Sequence, residues 1–266
     1  MVEFRLSTES DYDSLRELWK ICFGSDREFL SLYFSEGIHL TRTYVIAEEN
    51  EIHTALSLFN LKLNGMSGRY VYGVCTHPSQ RGKHYAVQLL QHAESKESDA
   101  VFFITRPASP TLFEYYDKAG YTFPISRSET IIEPSENPLP VIPKEIDGLE
   151  LYSLRSNFLT ANYFSWGLKE CQYIIDYIKY CKGCCLSFGS NRYLIGYPED
   201  RTFLILESNI DTKTIAAFVK TFYSSCERAI LYSKANNKNR KPFALLKTTN
   251  KTLCPNKDLL FSFSME

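Results

Sequence analysis

Between Val74 and Ala86 the sequence VCTHPSQRGKHYA places two cations, Arg81 and Lys83, on either side of Gly82, just before an apolar periodicity begins. A β-prone run, RYVYGVCT, ends at Thr76, Pro78 interrupts it, and Ala86, Leu89, Leu90 and Ala93 then recur on one helical face, with Arg81 and Gly82 opening the pattern. A turn from strand to helix has a chemistry of its own. The first N–H groups of a helix find no carbonyl inside it and lie at the positive end of its dipole, so they attract anions, a pyrophosphate among them. Taken alone, the same residues also read as a solvated basic turn before a surface helix.

A second segment, one strand further on, separates the two readings. The apolar run Ala100 to Thr105 (AVFFIT) is followed by RPASPTLFEYYDKAGY, a helix that ends at Ala119 and Gly120. Together the two segments resemble the GNAT acetyltransferases. The family's central motif, Arg/Gln-x-x-Gly-x-Gly/Ala, falls on Arg81, His84 and Ala86, and its following motif on Tyr115, Tyr116, Gly120 and Tyr121. The match spans residues 2 to 133. It implies acetyl-coenzyme A as cosubstrate, held by Val74, Cys75, Thr76, Arg81, Gly82, Lys83, His84, Tyr85 and Ala86, with the backbone of Val74 and Thr76 bonding the pantetheine arm. It also implies Tyr116 as general acid. His84 departs from the pattern: where the family most often has Gly, a Cβ stands at a point of close backbone approach to phosphate.

The elements that must position these residues follow the same family order. Residues 2 to 6 predict a strand. Thr8 caps a helix in capping-box fashion with Asp11, and Leu15, Leu18, Trp19 and Cys22 recur along it. Ser25 and Glu28 predict a second cap. Strands are expected at 42 to 48, 52 to 63 and 68 to 76. The fold class expected is α/β (α+β): a GNAT fold with a mixed, mostly antiparallel sheet over residues 1–133, then a second domain. Four prolines in EPSENPLPVIP mark residues 134–143 as the linker. Residues 144–266 predict a helix around 162 to 180, strands at 185 to 188, 193 to 197 and 203 to 207, a helix after Asp211, and strands at 229 to 232, 243 to 247 and 259 to 263. That layout resembles the degenerate GNAT-like half of tandem GNAT proteins such as the enhanced-intracellular-survival type, with a sterol-carrier-like domain as the competing assignment. No copy of the Arg-x-x-Gly turn precedes its helix.

Transfer of an acetyl group to an amine needs a neutral amine, a polarised thioester carbonyl and a stabilised thiolate leaving group. With a thiol near pKa 8.5 and a tyrosine near 10, full proton transfer from Tyr116 costs about 2 kcal/mol, so a hydrogen bond to sulfur is its expected role. A core tyrosine on an aromatic helix is the alternative, and Tyr115 is assigned to the core. An amine of pKa near 10.4 also requires a proton acceptor. His53, Glu36 and Glu51 lie in the half where the acceptor groove is expected, and the terminal Glu266 is the further candidate, by resemblance to tandem relatives that place their C-terminus in the active site. The resemblance implies direct attack by a primary amine on the bound thioester, without an acyl-enzyme; Cys75 is a conceivable nucleophile, but no neighbouring base is evident.

Composition narrows the partners. The chain has 266 residues, enough for two domains of ordinary size, and a formal net charge of −1, which disfavours nucleic acid as the main partner. No signal peptide or membrane-spanning run is read from the sequence, so a cytoplasmic protein acting on a small-molecule or peptide amine is expected, with a homo-oligomer left open. The eight cysteines read as free, packed thiols. The cluster CKGCC, Cys181 to Cys185, has half the ligands of a zinc site and no second pair, so it reads as a helix end, a Gly183 turn and a strand start, and no metal is expected. The basic stretch Lys234 to Lys241 reads as a solvated loop. Two other functions fit the same features: a non-catalytic coenzyme-binding regulatory module, and an aminoacyl-tRNA-dependent transferase.

Overall fold

The computed structural model describes residues 1–49, 51–159, 162–235, 240–249 and 259–263. Glu266, Cys254 and the middle of the basic loop, 236–239, lie outside them. The chain forms two compact units: Met1–Pro124 with Ala244–Cys254, and Ile125–Phe243 with Pro255–Glu266. This division differs from one at a 134–143 linker, because the chain leaves the first unit after Pro124 and its late strand returns there.

In the first unit, β1 (Glu3–Leu6), β2 (Thr41–Glu48), β3 (Glu51–Leu63), β4 (Met66–Thr76) and β5 (Phe102–Thr105) lie in that spatial order, and β13 (Lys241–Thr248) pairs with β5 through Leu245 to Thr248. Every pairing is antiparallel except β4 with β5, which is parallel. Helices α1 (Tyr12–Phe23) and α2 (Arg27–Leu32) follow β1, α3 (Tyr85–Lys96) joins β4 to β5, and α4 (Pro110–Lys118) follows β5. The expected Thr8/Asp11 capping box is present, and Arg5 holds Asp11 with two bonds of 2.7 and 2.9 Å. The second cap is Asp26, not Ser25: its carboxylate accepts the Phe29 N–H at 2.8 Å, an ionised acceptor outcompeting a neighbouring hydroxyl.

Strand alternation sends Tyr44, Ile46, Leu56, Leu58 and Val71 into a core with Leu89, Leu90 and Ala93 of α3 and Tyr116 of α4. An aromatic cluster of Trp19, Phe29, Tyr33 and Tyr72 packs elsewhere on β4 and the first helices, with Trp19 stacked on Tyr33 at 4.4 Å. Arg69, 1% exposed, donates to Glu97 at 2.7 Å and to Asp99 at 2.6 Å, while the Tyr44 hydroxyl donates to Glu97 at 2.8 Å. This network fixes β4 to the end of α3.

The second unit repeats the plan. From β6 (Phe123–Ile132) inward its order is β6, β12 (Arg228–Lys234), β11 (Thr202–Ser208), β10 (Tyr193–Glu199), β9 (Cys184–Ser187), β7 (Lys144–Glu145), and along this path β11 with β12 is parallel and the other pairs are antiparallel. Helix α7 (Thr212–Phe222) joins that parallel pair. The helix expected from 162 begins only at Leu168, as α6 (Leu168–Tyr180) behind the short strand β8 (Phe164–Ser165). A further helix, α5 (Gly148–Phe158), not among those predicted from sequence, starts at a capping box of Asp147 and Glu150. The strand expected at 259 to 263 is a single bridge between Leu260 and Tyr163. Cys181 caps α6 and Cys184 opens β9, with the Gly183 N–H donating to Ile178 at 2.8 Å between them. Among the described residues no helix is long and apolar enough to cross a membrane.

Removing the charge of Glu97 takes from the buried Arg69 guanidinium its buried partner and leaves it only the exposed Asp99, which costs about 3 kcal/mol, whereas removing that of the solvent-facing Asp99 costs less than about 1 kcal/mol. Urea titrations of Glu97→Gln and Asp99→Asn measure both; equal losses would mean that the buried pair does not anchor β4.

Candidate functional site

The site is built on the one parallel ladder of the first unit. Strands β4 and β5 pair only at Arg69↔Phe103, Tyr70↔Ile104 and Val71↔Thr105, after which β5 ends and β4 runs on to Thr76. From Tyr72 onward the side of β4 that faced β5 has no strand beside it in that ladder. Opposite Leu56 of β3, two residues of β4, Gly73 and Val74, stand between the pairs Ser57↔Tyr72 and Ala55↔Cys75, a bulge that bends the strand. Gly73 has φ +60, and a Cβ there would lie 2.5 Å from the Trp19 ring, so only glycine lets the strand bend against this indole.

Beyond Thr76 the chain makes a tight 3-10 turn, Pro78–Gln80, capped by the His77 ring, and Arg81 is extended. Gly82 (φ +84) and His84 (φ +59) then take left-handed conformations before α3 begins at Tyr85, later than the start at Arg81 and Gly82 that the periodicity predicts. The later start has a physical cause: two left-handed residues in a short span cannot continue a right-handed helix. The first intrahelical bond is Gln88 N–H to the His84 carbonyl, at 3.1 Å. No side chain caps α3, and no carboxylate lies in its first turn. The N–H groups of its opening residues therefore face outward beside Arg81, Lys83 and His84, all exposed. Arg81 Nε donates to the Thr76 carbonyl at 3.3 Å, and Lys83 Nζ donates to Gln80 at 2.6 Å.

Tyr116 lies at the other end, where the strands part. It is 7% exposed, its hydroxyl bonds the Thr105 side chain, and Thr105 Oγ1 donates to the Val71 carbonyl at 3.3 Å. Burial pushes its pKa well above the ordinary tyrosine value, so the phenol stays protonated and acts as a donor. Tyr115 packs edge-on against it at 5.4 Å. Of the base candidates, Glu36 and Glu51 are exposed. His53 is 6% exposed, stacks on Tyr85 at 6.1 Å, and its Nδ1 has no hydrogen-bond partner among the described residues. Its carbonyl accepts the His77 N–H at 2.8 Å, which puts it beside the turn and away from Tyr116. Cys75 is buried and its thiol is pushed well above the ordinary cysteine pKa, first by its neighbour Cys22 and then by desolvation, which leaves little thiolate to attack a thioester and argues against an acyl-enzyme. Cys22 beside it is the participant that reasoning from sequence missed; it reads there only as a core position of α1.

The second unit differs at the equivalent places. The Asp211 carboxylate accepts the Thr214 N–H at 2.9 Å and the Thr214 hydroxyl at 2.8 Å, so an anion of the chain already caps α7. Where β11 runs on past its last pair with β12, Ile205↔Leu231, a cavity of about 290 Å³ is lined by Phe158, Leu206, Glu207, Tyr232 and Leu260. Glu207 at its wall is held by Arg155 at 2.8 and 3.1 Å and by Tyr193 at 2.7 Å.

Residues 3–123, a little under half of the chain, match the model of the acetyltransferase (GNAT) domain. It is 30% identical over 94 residues to the L-2,4-diaminobutyric acid acetyltransferase of Vibrio cholerae serotype O1, covering 35% of this chain and 54% of that protein. The match thus spans about half the length of the curated relative. Among solved structures, a GCN5-related N-acetyltransferase from Anabaena variabilis superposes with TM-score 0.71 at 17% identity, covering 94% of this chain and 73% of that one. Eis1 from Mycobacterium abscessus gives 0.62 at 10%, covering 93% and 73%, and a tandem GNAT protein from the clavulanic acid biosynthesis pathway gives 0.56 at 10%, covering 94% and 99%. At these identities the likeness is one of fold, and it extends over both units: the architecture is that of a tandem GNAT.

A histidine in the left-handed region costs about 1–2 kcal/mol, partly offset for glycine by its greater freedom when unfolded. His84→Gly should therefore raise the melting temperature by about 1–4 °C, and His84→Val should lower it; thermal melts of the two variants check this.

Proposed function

We propose that the protein is an N-acetyltransferase that moves an acetyl group from acetyl-coenzyme A to a primary amine by direct attack, in the cytoplasm, with one site per chain in the first unit. The observation that carries this reading is the pairing of an unaccompanied strand segment, Tyr72 to Thr76, with an uncapped helix start flanked by Arg81 and Lys83. The outward N–H groups of Tyr85 and Ala86 with these cations suit a pyrophosphate, and the free side of β4 suits the amides of a pantetheine arm. Gly82 offers a surface without a side chain for close approach.

In this reading Tyr116 donates a hydrogen bond to the sulfur as the thioester breaks, exchanging its bond to Thr105 for one that strengthens as charge develops. Its raised pKa keeps the donor form present throughout the range in which amines lose their proton. His53, beside the turn, is better placed to meet an anionic group than to take the amine's proton, which leaves that proton to water. The acceptor is a small primary amine; the curated relative is named for L-2,4-diaminobutyric acid, so diamino acids head the panel to be tried.

Acetyl-coenzyme A at a hundred times its dissociation constant adds about 2.7 kcal/mol, a rise of several degrees in melting temperature. No shift at millimolar concentration would sink the cosubstrate reading and favour a transferase that uses charged tRNA; binding without turnover would favour a regulatory module. With an amine that reacts, thiol release should fall about 10²-fold or more in Tyr116→Phe. For the parent, the rate should climb with pH towards 9 with no decline from Tyr116, because a pKa raised above 10 keeps that proton in place.

A further inference from the structure

We propose that Cys22 and Cys75 form a redox-responsive thiol pair which closes to a disulfide under peroxide and thereby disables the coenzyme turn. The coupling to the turn rests on the function proposed above; the pair itself does not. Cys22 is the next-to-last residue of α1 and half-buried, Cys75 lies on the free segment of β4, and the Cys22 sulfur reaches the carbonyl of the residue that follows Cys75, so the two thiols are neighbours and each perturbs the other. Cys22 Sγ lies 3.4 Å from the Thr76 carbonyl oxygen, which also takes Arg81 Nε at 3.3 Å, so the Arg81 guanidinium stands close enough to favour the Cys22 thiolate. One sulfur and one carbonyl thus tie the end of the first helix to the arginine of the turn.

The two thiols are unequal in the way such a step needs. Cys22 is drawn down to about 7, first by its neighbour Cys75 and then, against its partial desolvation, by Arg81. Cys75 is held in the thiol form. The other described cysteines, Cys171, Cys181, Cys184, Cys185 and Cys226, are all pushed upward by burial. Cys22 is therefore the reactive sulfur and Cys75 the resolving one.

Hydrogen peroxide supplies the oxidant. The Cys22 thiolate attacks a peroxide oxygen, the S–O bond forms, the O–O bond breaks, and the departing hydroxide takes a proton to leave as water. Cys75 then attacks the Cys22 sulfur; the S–S bond forms, the S–O bond breaks, and the hydroxyl leaves as a second water with the Cys75 proton. Two thiols lose two electrons and one peroxide becomes two waters. The disulfide takes away the sulfur that Arg81 and the Thr76 carbonyl share, and it fastens α1 to the segment of β4 assigned to the pantetheine arm. Arg81 loses its neighbouring sulfur anion and keeps only the Thr76 carbonyl.

The test uses the full chain, treated with hydrogen peroxide, alkylated with N-ethylmaleimide and digested for mass spectrometry. The expected result is a peptide linked through Cys22 and Cys75, two fewer alkylated thiols, and reversal by dithiothreitol. Cys22→Ser should abolish the link, and Cys75→Ser should leave a Cys22 sulfenic acid that dimedone traps. The oxidised chain should lose at least about half of its acetyl-coenzyme A melting shift. Cys22 left unoxidised, or joined to a different cysteine, overturns the pair. A linked chain with an undiminished shift overturns the coupling. A reduced chain with no shift, but with the link formed, overturns the cosubstrate reading and leaves the thiol pair standing.

Discussion

The separation of β4 from β5 after Val71 is the constraint on which the rest of the first unit depends. Parallel strands have little reason to part, since each lost rung leaves backbone groups to be satisfied elsewhere. Here three devices hold them apart. The buried Arg69, bonded to Glu97 and Asp99, clamps β4 to the end of α3 before the fork. At the fork itself, Thr105 bonds Val71 and receives Tyr116, which fills the angle with an aromatic ring. Past the fork, the bulge at Gly73 bends β4 onto Trp19, so the strand is held by β3 and α1 in place of β5.

The two units show what such a fork does when its helix start is treated differently. Both have a short parallel ladder bridged by a helix, and both strands that precede the helix outrun their last pair, at Val71 in one and Ile205 in the other. In the second unit Asp211 caps the helix with its own carboxylate, held below the usual range by the Thr214 backbone bond, so an anionic ligand would meet a charge of like sign. Glu207 adds a second carboxylate near the opening, neutralised by Arg155. The first unit offers the reverse, an open helix start and two exposed cations. A common fold thus carries an uncapped, cation-flanked helix start in one copy and a carboxylate-capped one in the other.

Much of this was legible in the sequence because it depends on local rules. The Thr8/Asp11 box, the three strands β2 to β4, the helix ending at Ala119 and the Asp211 helix start all follow from residue type and spacing. What escaped depends on partners distant in the chain. Nothing near Gly73 says that Trp19 occupies the space its Cβ would need, and nothing near Pro124 says that the strand following it belongs to the other unit. Helix α5 was missed for a different reason: its residues lack a sustained apolar stripe, and its capping box was the one available signal. Cys22 looked like a core residue of α1 because its neighbours Leu18 and Trp19 are, yet the end of the helix brings it to Thr76 and Arg81.

His84 unites the local and the distant parts of the argument. From the motif alone it is a substitution that places a side chain where phosphate should approach. The backbone shows a second reason for glycine at that position, because φ is +59 and the helix can begin only after this left-handed residue. The two reasons differ in consequence. Steric obstruction would oppose the ligand, whereas left-handed strain opposes the fold and is tolerable for histidine at about 1–2 kcal/mol. With the ring exposed, the second cost is certain to be met in every molecule, while the first depends on which way the imidazole turns. An imidazole turned toward the helix start adds a donor next to the N–H groups of Tyr85 and Ala86, so the residue that departs from the family pattern costs the fold stability and can still serve the anion.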